Sequence, residues 1–155
     1  MRSGAVGLVV LLMMACTDGA APGGTRACID DNPPGSPFDI GDVTVGSPPP
    51  GSPAPEPPSA DTIAADCVMN GGTGCDAEAF ISKDAASCIA TLQGFEAGLE
   101  PWQIALTFHH GYKRVVWNVT NKLVDQGGGA YMGQVLTIDA TDDNVLGKAM
   151  YGATP

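Results

Sequence analysis

One segment in the middle of the chain has the hydrophobic spacing of an amphipathic helix. Within residues 81–92, apolar side chains stand at positions i, i+3, i+4 and i+7, which are Ala85, Cys88, Ile89 and Leu92. Residues at these spacings share one face of a helix. Ser82 is a suitable N-cap, and Gly94 follows where the helix would end. The pattern predicts a helix over 81–92 with Cys88 on its buried face.

Three later segments alternate apolar and polar residues, which is typical of strands with one buried face. They are residues 102–108, 114–120 and 134–139. Residues 109–113 predict a turn, and the glycine-rich residues 126–130 predict a flexible loop. The helix is expected to cover the apolar face that the strands cannot bury alone. The predicted fold is therefore α+β, with one helix packed on a small antiparallel β-meander.

The N-terminus has the pattern of an export signal. Met1–Arg2 is followed by an uncharged apolar run, Ala5–Met14, which is half of the ~20 residues that a membrane-spanning helix needs. The run ends in Leu-Met-Met-Ala-Cys at residues 12–16, which resembles the lipobox of bacterial lipoproteins. The resemblance implies that residues 1–15 are removed and that Cys16 is acylated. The alternative is an ordinary secretory signal that is cleaved nearby.

Acylation of Cys16 would make the lipid bilayer the first partner of this protein, because two or more acyl chains hold a protein stably at a membrane. The expected location is the bacterial cell envelope, with a lipid anchor in the outer membrane.

The stretch after the signal differs in composition from the rest. Ten of the 13 prolines fall between Pro33 and Pro58, mixed with Gly and Ser, a composition that favours extended polyproline II without internal hydrogen bonds. We predict a disordered linker over 16–60, acting as a stalk, and a small domain over 61–155. Within the linker, the alternating residues 38–45 are either a brief strand that docks elsewhere or part of the linker.

Four cysteines remain after Cys16 is assigned to lipid: Cys28, Cys67, Cys75 and Cys88. An even number in a small exported domain predicts two disulfide bonds. Four cysteines allow three pairings. We prefer Cys75–Cys88, which closes a short loop onto the helix, together with Cys28–Cys67. A structural zinc site is disfavoured because close cysteine pairs are missing.

Charge and length exclude several classes of protein. The chain of 155 residues carries 17 acidic and 7 basic side chains, a formal net charge of −10. A nucleic-acid binder needs a basic surface, so no nucleic-acid partner is expected. The length corresponds to one domain rather than to a large enzyme. With 44% hydrophobic residues and 15% charged ones, the chain as a whole is not expected to be disordered.

Two groups of residues could carry chemistry, and each also has a plain structural interpretation. His109 and His110 are the only histidines, but neighbours on a strand point to opposite faces, and no third ligand is suitably spaced. The acidic cluster near the C-terminus has oxygens that calcium prefers, but not the spacing of an EF-hand loop. It consists of Asp139, Asp142, Asp143 and Asn144. We predict that the histidines belong to a hairpin turn and that the acidic cluster is a polar turn.

No local signature of a nucleophile or of a phosphate-binding loop is present. Gly127-Gly128-Gly129 lacks the Lys and Ser/Thr that such a loop needs. We therefore predict no catalytic residues, no metal, no cofactor and no enzymatic activity.

Residues 80–150 resemble the PepSY domain family. Residues 81–92 are similar to its opening helix, Trp117–Val119 to its central strand, and Leu136–Thr141 followed by Val145-Leu146 to its closing strand and turn. The resemblance implies a small non-catalytic α+β module of the kind found in propeptides of thermolysin-like proteases, where it is associated with inhibition, and in envelope proteins.

The expected function is that of an envelope lipoprotein displaying a module that binds or inhibits a protein partner, with a protease as one candidate. The alternatives are a module that binds a metal ion or small ligand and a structural surface protein.

Overall fold

The structure is a computed structural model, which describes residues 24–43 and 58–153. The signal peptide, Cys16 and residues 44–57 of the proline-rich stretch lie outside the described residues. The helices of the described part are α1 (Gly24–Asp31), α2 (Ala60–Met69), a 3-10 helix (Ala77–Ala79) and α3 (Lys83–Leu92). The strands are β1 (Gln103–His109), β2 (Arg114–Gly127), β3 (Ala130–Asp139) and β4 (Val145–Ala153).

The four strands form one antiparallel sheet in the order β1-β2-β3-β4, which is a meander. The predicted α+β class is confirmed. Two details differ from the prediction. Residues 126–130 form a tight hairpin instead of a flexible loop, with Gly127 opposite Ala130 and with positive φ at Gly127, Gly128 and Gly129. The apolar pair Val145-Leu146 begins a further strand of nine residues.

The predicted central helix is confirmed as α3. The Oγ atom of its N-cap, Ser82, accepts a hydrogen bond from the Ala85 N–H at 3.0 Å. The Nε1–H of Trp117 on β2 donates to the Ile81 carbonyl at 3.0 Å and so joins the start of the helix to the sheet. Ile89 and Trp117 are fully buried, which places the core between α3 and the sheet.

Alternate residues of each strand point to opposite faces of the sheet. The face towards α3 carries the buried side chains of Ile104, Leu106, Phe108, Val115, Trp117, Val119, Leu136 and Ile138. The other face, which we call the open face, carries mainly small and polar side chains, together with the buried Val116 and the half-buried Val135. Along one row it presents Ala105, Asn118, Thr137 and Gly147, which are successive partners across the four strands.

Residues 24–43, predicted as linker, pack on the domain instead. Helix α1 lies beside α3, where Cys28 bonds to Cys88 and the Ser82 hydroxyl donates to the Asn32 carbonyl at 2.7 Å. Further on, the Phe38 ring stacks on Trp117 with 6.3 Å between the ring centroids. The prediction of an extended linker fails here because an aromatic residue and a cysteine supply contacts that outweigh the local proline content.

The segment after Phe38 continues along the edge of the sheet. Asp42 N donates to the Ile104 carbonyl at 2.8 Å, and Leu106 N donates to the Ile40 carbonyl at 3.0 Å. Gly41, with φ of 81°, sits between these two bonds and pairs with Ala105. The alternating residues 38–45 therefore dock on the domain as far as the structure describes them.

The docking of residues 24–43 corrects the prediction of a linker for that part of residues 16–60. Residues 16–23 and 44–57 lie outside the described residues, so the prediction of a stalk stays a prediction for them. Val43 and Pro58, which flank residues 44–57 in the sequence, line the same groove.

The prediction of two disulfide bonds is confirmed, but the preferred pairing was wrong. The bonds are Cys28–Cys88 and Cys67–Cys75, with Cα–Cα distances of 5.6 and 5.5 Å. Cys88 faces Cys28 because α1 runs antiparallel to α3. Cys75 returns to Cys67 because the chain turns back after α2, through Gly71 and Gly74, which both have positive φ.

Candidate binding groove

A groove of about 710 Å³ runs between α2 and β1, the edge strand of the sheet, and is lined by residues of the open face and also by Ile63, Leu106 and Phe108 of the core. We call it the α2 groove. Its floor is formed by Gln103, Ala105, Thr107, Asn118 and Thr120. Its wall is formed by Thr62, Ala65, Asp66 and Met69 of α2, and Asp42, Val43 and Pro58 also line it. Small side chains on the floor leave the space that bulky ones would fill.

Local sequence and two tertiary contacts hold the wall of this groove in place. Ser59 caps α2, its Oγ accepting from Thr62 N at 3.2 Å. The helix buries Ile63 and Cys67, which leaves the row of Thr62, Asp66 and Met69 for the groove. At its C-terminal end, the Cys67–Cys75 bond and the hydrogen bond from Thr73 N to the Lys113 carbonyl at 2.9 Å attach α2 to the β1–β2 turn.

A second, smaller hollow of about 140 Å³ adjoins the groove. We call it the tyrosine hollow. Its lining residues are Glu100, Pro101, Gln103, Thr120, Asn121, Lys122, Tyr131 and Tyr151. The Tyr131 and Tyr151 rings meet edge to face with 5.8 Å between their centroids. Because Gln103 and Thr120 line both hollows, the two form one continuous path across the open face.

The charges along this path are mainly negative. Asp42 and Asp66 line the α2 groove, and Glu100 lines the tyrosine hollow. The one cation in either lining is Lys122, whose Nζ lies 3.3 Å from Glu100 and 3.1 Å from Asp125. The hydrogen bond to Asp125 raises the pKa of Lys122 above its ordinary value, so the lysine stays charged at neutral pH and is held by its two acidic neighbours.

The tyrosine hollow is also partly protected from solvent. Burial raises the pKa of Tyr151 above its ordinary value, and the neighbouring Tyr131 adds to the effect. Its hydroxyl, protonated at neutral pH, donates to the Asn121 carbonyl at 3.2 Å. The Tyr151 ring therefore presents a neutral, amphipathic surface to a ligand.

The two histidines have separate positions in the structure. His109 ends β1, and its Nδ1 accepts hydrogen bonds from the N–H groups of Gly111 and Tyr112, both at 3.2 Å. The His110 ring instead lies edge-on to Phe108, with 4.9 Å between centroids. His109 thus stabilises the hairpin turn. Within residues 24–43 and 58–153, no group of three or more His, Cys, Asp or Glu side chains could hold a metal ion.

Asp139 is a buried carboxylate on the open face. It accepts hydrogen bonds from the Thr141 N–H at 2.9 Å and the Thr141 hydroxyl at 2.8 Å, and it pairs with Arg114. Burial alone would raise the pKa of Asp139, but the hydrogen bonds from Thr141 and Arg114 outweigh burial and lower it. The same pairing raises the pKa of Arg114. Asp139 thus joins β3 to the start of β2.

The other members of the acidic cluster belong to the β3–β4 turn. Asp142 accepts from Asn144 N at 2.8 Å, and Asp143 accepts from the Thr25 hydroxyl at 2.5 Å. The last bond attaches α1 to this turn. The cluster therefore has a structural role in the described geometry.

The groove residues were not singled out from the sequence. The signal that could have found them is the run of small and polar side chains at alternate positions of two adjacent predicted strands, Ala105 and Thr107 on one and Asn118 and Thr120 on the other. These positions face away from the helix. The contribution of α2 could not have been found in this way, because no helix is predicted from the sequence at the start of the domain.

No protein-family model matches this chain, and no curated protein or solved structure is significantly similar to it. The resemblances to the lipobox and to the PepSY domain therefore stay predictions. None of the described helices has the length and apolar character needed to span a bilayer.

Proposed function

We propose that this protein is a lipoprotein of the bacterial cell envelope whose domain binds a protein partner in the α2 groove. The observation that carries this proposal is the groove itself, a concave and mainly apolar surface bordered by carboxylates on a sheet face that α3 does not cover. Small side chains on a sheet face, rather than a packed apolar layer, suit a surface that another molecule covers.

Two features of the chain support the proposed location. The lipobox-like residues 12–16 would place acyl chains on Cys16. Two disulfide bonds within a small domain are typical of proteins that fold in an oxidising compartment outside the cytoplasm. The resemblance of residues 80–150 to the PepSY family supports a non-catalytic binding role, with a protease as one candidate partner.

A small envelope molecule is the second candidate ligand. The volume of the groove, about 710 Å³, falls within the range of roughly 300–1,000 Å³ that is typical of small-molecule sites. Such a ligand would sit on the apolar part of the lining, between Met69 and Ala105.

The two candidates can be separated by site-specific photo-crosslinking. A photoreactive phenylalanine analogue at Thr107, on the groove floor, is expected to give an adduct of defined protein mass in cells that export the full chain. The matched control carries the analogue at Thr91, which is exposed on α3. An equal yield of adducts at both positions, or none at Thr107, would contradict a protein partner in the groove. A small-mass adduct at Thr107 would support the second candidate.

The membrane anchor has its own test. Intact-mass analysis of the mature protein should show the mass of acyl chains and a chain that begins at Cys16. A mature chain without lipid would contradict the lipoprotein part of the proposal and leave the groove unaffected.

A further inference from the structure

We propose that the α2 groove and the tyrosine hollow together bind an extended, basic segment of the partner polypeptide. This inference rests on the proposed function and goes further by stating the shape and charge of what is bound. Three properties of the path support it: its length, the sign of its charge, and the side chains at its two ends.

The length of the path suits an extended chain. Thr107 and Gln103 lie four residues apart on β1, and the register continues from Gln103 through Thr120, Val135 and Ala149 across the sheet. Tyr151 lies two residues beyond Ala149. Six residue steps at about 3.3 Å give about 20 Å along the strand direction, and three strand spacings of about 4.8 Å give about 14 Å across it, so the two ends lie about 25 Å apart. An extended peptide of about eight residues covers that distance, whereas a compact ligand fills the α2 groove alone.

The charge of the path favours a basic segment. Asp42 and Asp66 border the α2 groove and Glu100 borders the tyrosine hollow. Lys83 Nζ lies 3.7 Å from Asp42, and Lys122 is held between Glu100 and Asp125, so Asp66 is the groove carboxylate on which the inference depends most. The whole chain carries a formal net charge of −10. Opposite charge on a partner increases its association rate and disfavours acidic competitors, and the effect decreases with salt.

The ends of the path supply surfaces that accept long basic side chains. Met69, at one end, is 79% exposed and has the flexible thioether that adapts to different partners. At the other end, Lys122 Nζ already lies 5.3 Å from the centre of the Tyr131 ring, which is the geometry of a cation–π contact. The Tyr151 ring beside it can receive a cation from the partner in the same way.

The test uses the full chain in non-ionic detergent and fluorescein-labelled octapeptides as probes. Three acetylated peptides alternate Val with Lys, with Gln or with Glu. Fluorescence anisotropy at physiological salt is expected to show that the Lys peptide binds at least about tenfold more tightly than the Gln peptide, with the Glu peptide weakest.

Two matched variants separate the groove from general attraction. Asp66→Asn removes a carboxylate from the groove wall, and Asp61→Asn makes the same charge change at an exposed position of the same helix that does not line the groove. We expect Asp66→Asn to weaken binding of the Lys peptide several-fold and Asp61→Asn to leave it nearly unchanged. Equal effects of the two variants would refute the inference, because they would indicate attraction to the acidic protein as a whole.

A third variant tests the length of the bound segment. Tyr151→Leu is expected to weaken binding of the octapeptide that alternates Val and Lys and to leave binding of a tetrapeptide with the same pattern unchanged. If both peptides bind Tyr151→Leu as they bind the unmodified chain, the tyrosine hollow is not part of the site and the inference fails.

Failure of the inference can be distinguished from failure of the proposed function. Ala105→Trp fills the groove floor. In one outcome, the Gln or Glu peptide binds as tightly as the Lys peptide, and Ala105→Trp abolishes this binding. The groove would then bind peptides but not through their charge, so only the inference would be refuted. If no peptide shows binding that depends on Ala105, the extended segment is refuted, and the crosslink at Thr107 decides the proposed function.

Discussion

The two disulfide bonds should contribute unequally to stability, because they close loops of different length. A cross-link stabilises mainly by reducing the entropy of the unfolded chain, and the reduction grows with the logarithm of the loop length. The Cys28–Cys88 bond joins residues 60 positions apart, and the Cys67–Cys75 bond joins residues 8 positions apart. The loop-entropy relation gives a stabilisation of about 4.3 kcal/mol for the first and about 2.5 kcal/mol for the second.

The perturbation is a pair of double substitutions in a Cys16→Ser background, so that no other thiol is present. One variant replaces Cys28 and Cys88 by Ala, and the other replaces Cys67 and Cys75. Urea unfolding followed by tryptophan fluorescence gives the free energy of unfolding of each, because the buried Trp117 becomes exposed to water on unfolding. The free energy lost by the first variant should exceed that lost by the second by about 1.8 kcal/mol.

A mismatched control tests the connectivity itself. The variant that lacks Cys28 and Cys67 should retain no native disulfide, because each remaining cysteine has lost its partner. Titration of free thiols should therefore find two in this variant and none in the two matched variants. A disulfide that persists between Cys75 and Cys88, or a larger loss of stability without the Cys67–Cys75 bond, would refute the reasoning.

Three further outcomes are expected. Gly41→Ala should lower the free energy of unfolding by more than Gly71→Ala does, and we expect Gly71→Ala to cost about 1 kcal/mol. Both glycines have positive φ, but only Gly41 lies against the backbone of β1. Equal losses in urea titrations would contradict this packing. Phe38→Ala should cost about 1–3 kcal/mol and shift Trp117 fluorescence to longer wavelength, and an unshifted spectrum would mean that Phe38 does not cover the indole. Asp139→Asn should cost about 1–3 kcal/mol at pH 7. The folded protein lowers the pKa of Asp139, so this carboxylate stabilises the fold above its unfolded pKa of about 3.9 and loses that effect as the pH falls through the lower folded value. The free energies of unfolding of the variant and of the unmodified chain should therefore converge at low pH. A constant difference between them down to pH 2 would refute this role of Asp139.

The parts of the fold that were predicted are those whose hydrophobic pattern is local. Helix α3 has an apolar stripe and a serine cap within twelve residues, and β1 has alternate buried positions along its whole length. In contrast, β4 has the composition of a weak strand, with Gly147 and Gly152 and few β-branched residues, and it is a strand because it completes the sheet beside β3.

The missed helices show how composition can mislead. Helix α2 follows directly after the prolines, but Ser59 and the alanines behind it carry a local helix signal. Helix α1 is held to α3 by the Cys28–Cys88 bond, which no local pattern predicts. The candidate groove depends on the position of α2 relative to β1. That position is set by the short loop that the Cys67–Cys75 bond closes and by the hydrogen bond from Thr73 to Lys113. Only this hydrogen bond joins distant parts of the chain, and no local pattern predicts it.

The position of Cys28 also determines how the molecule responds to mechanical force. Tension applied to the chain on the N-terminal side of α1 crosses the sulfur–sulfur bond into α3 at Cys88. The 59 residues enclosed by that bond, which include α2 and with it the wall of the α2 groove, lie outside the load-bearing route. A pull between the N-terminal side of α1 and the C-terminus would therefore load β1 and β2 but would not stretch α2 for as long as this one covalent bond remains oxidised.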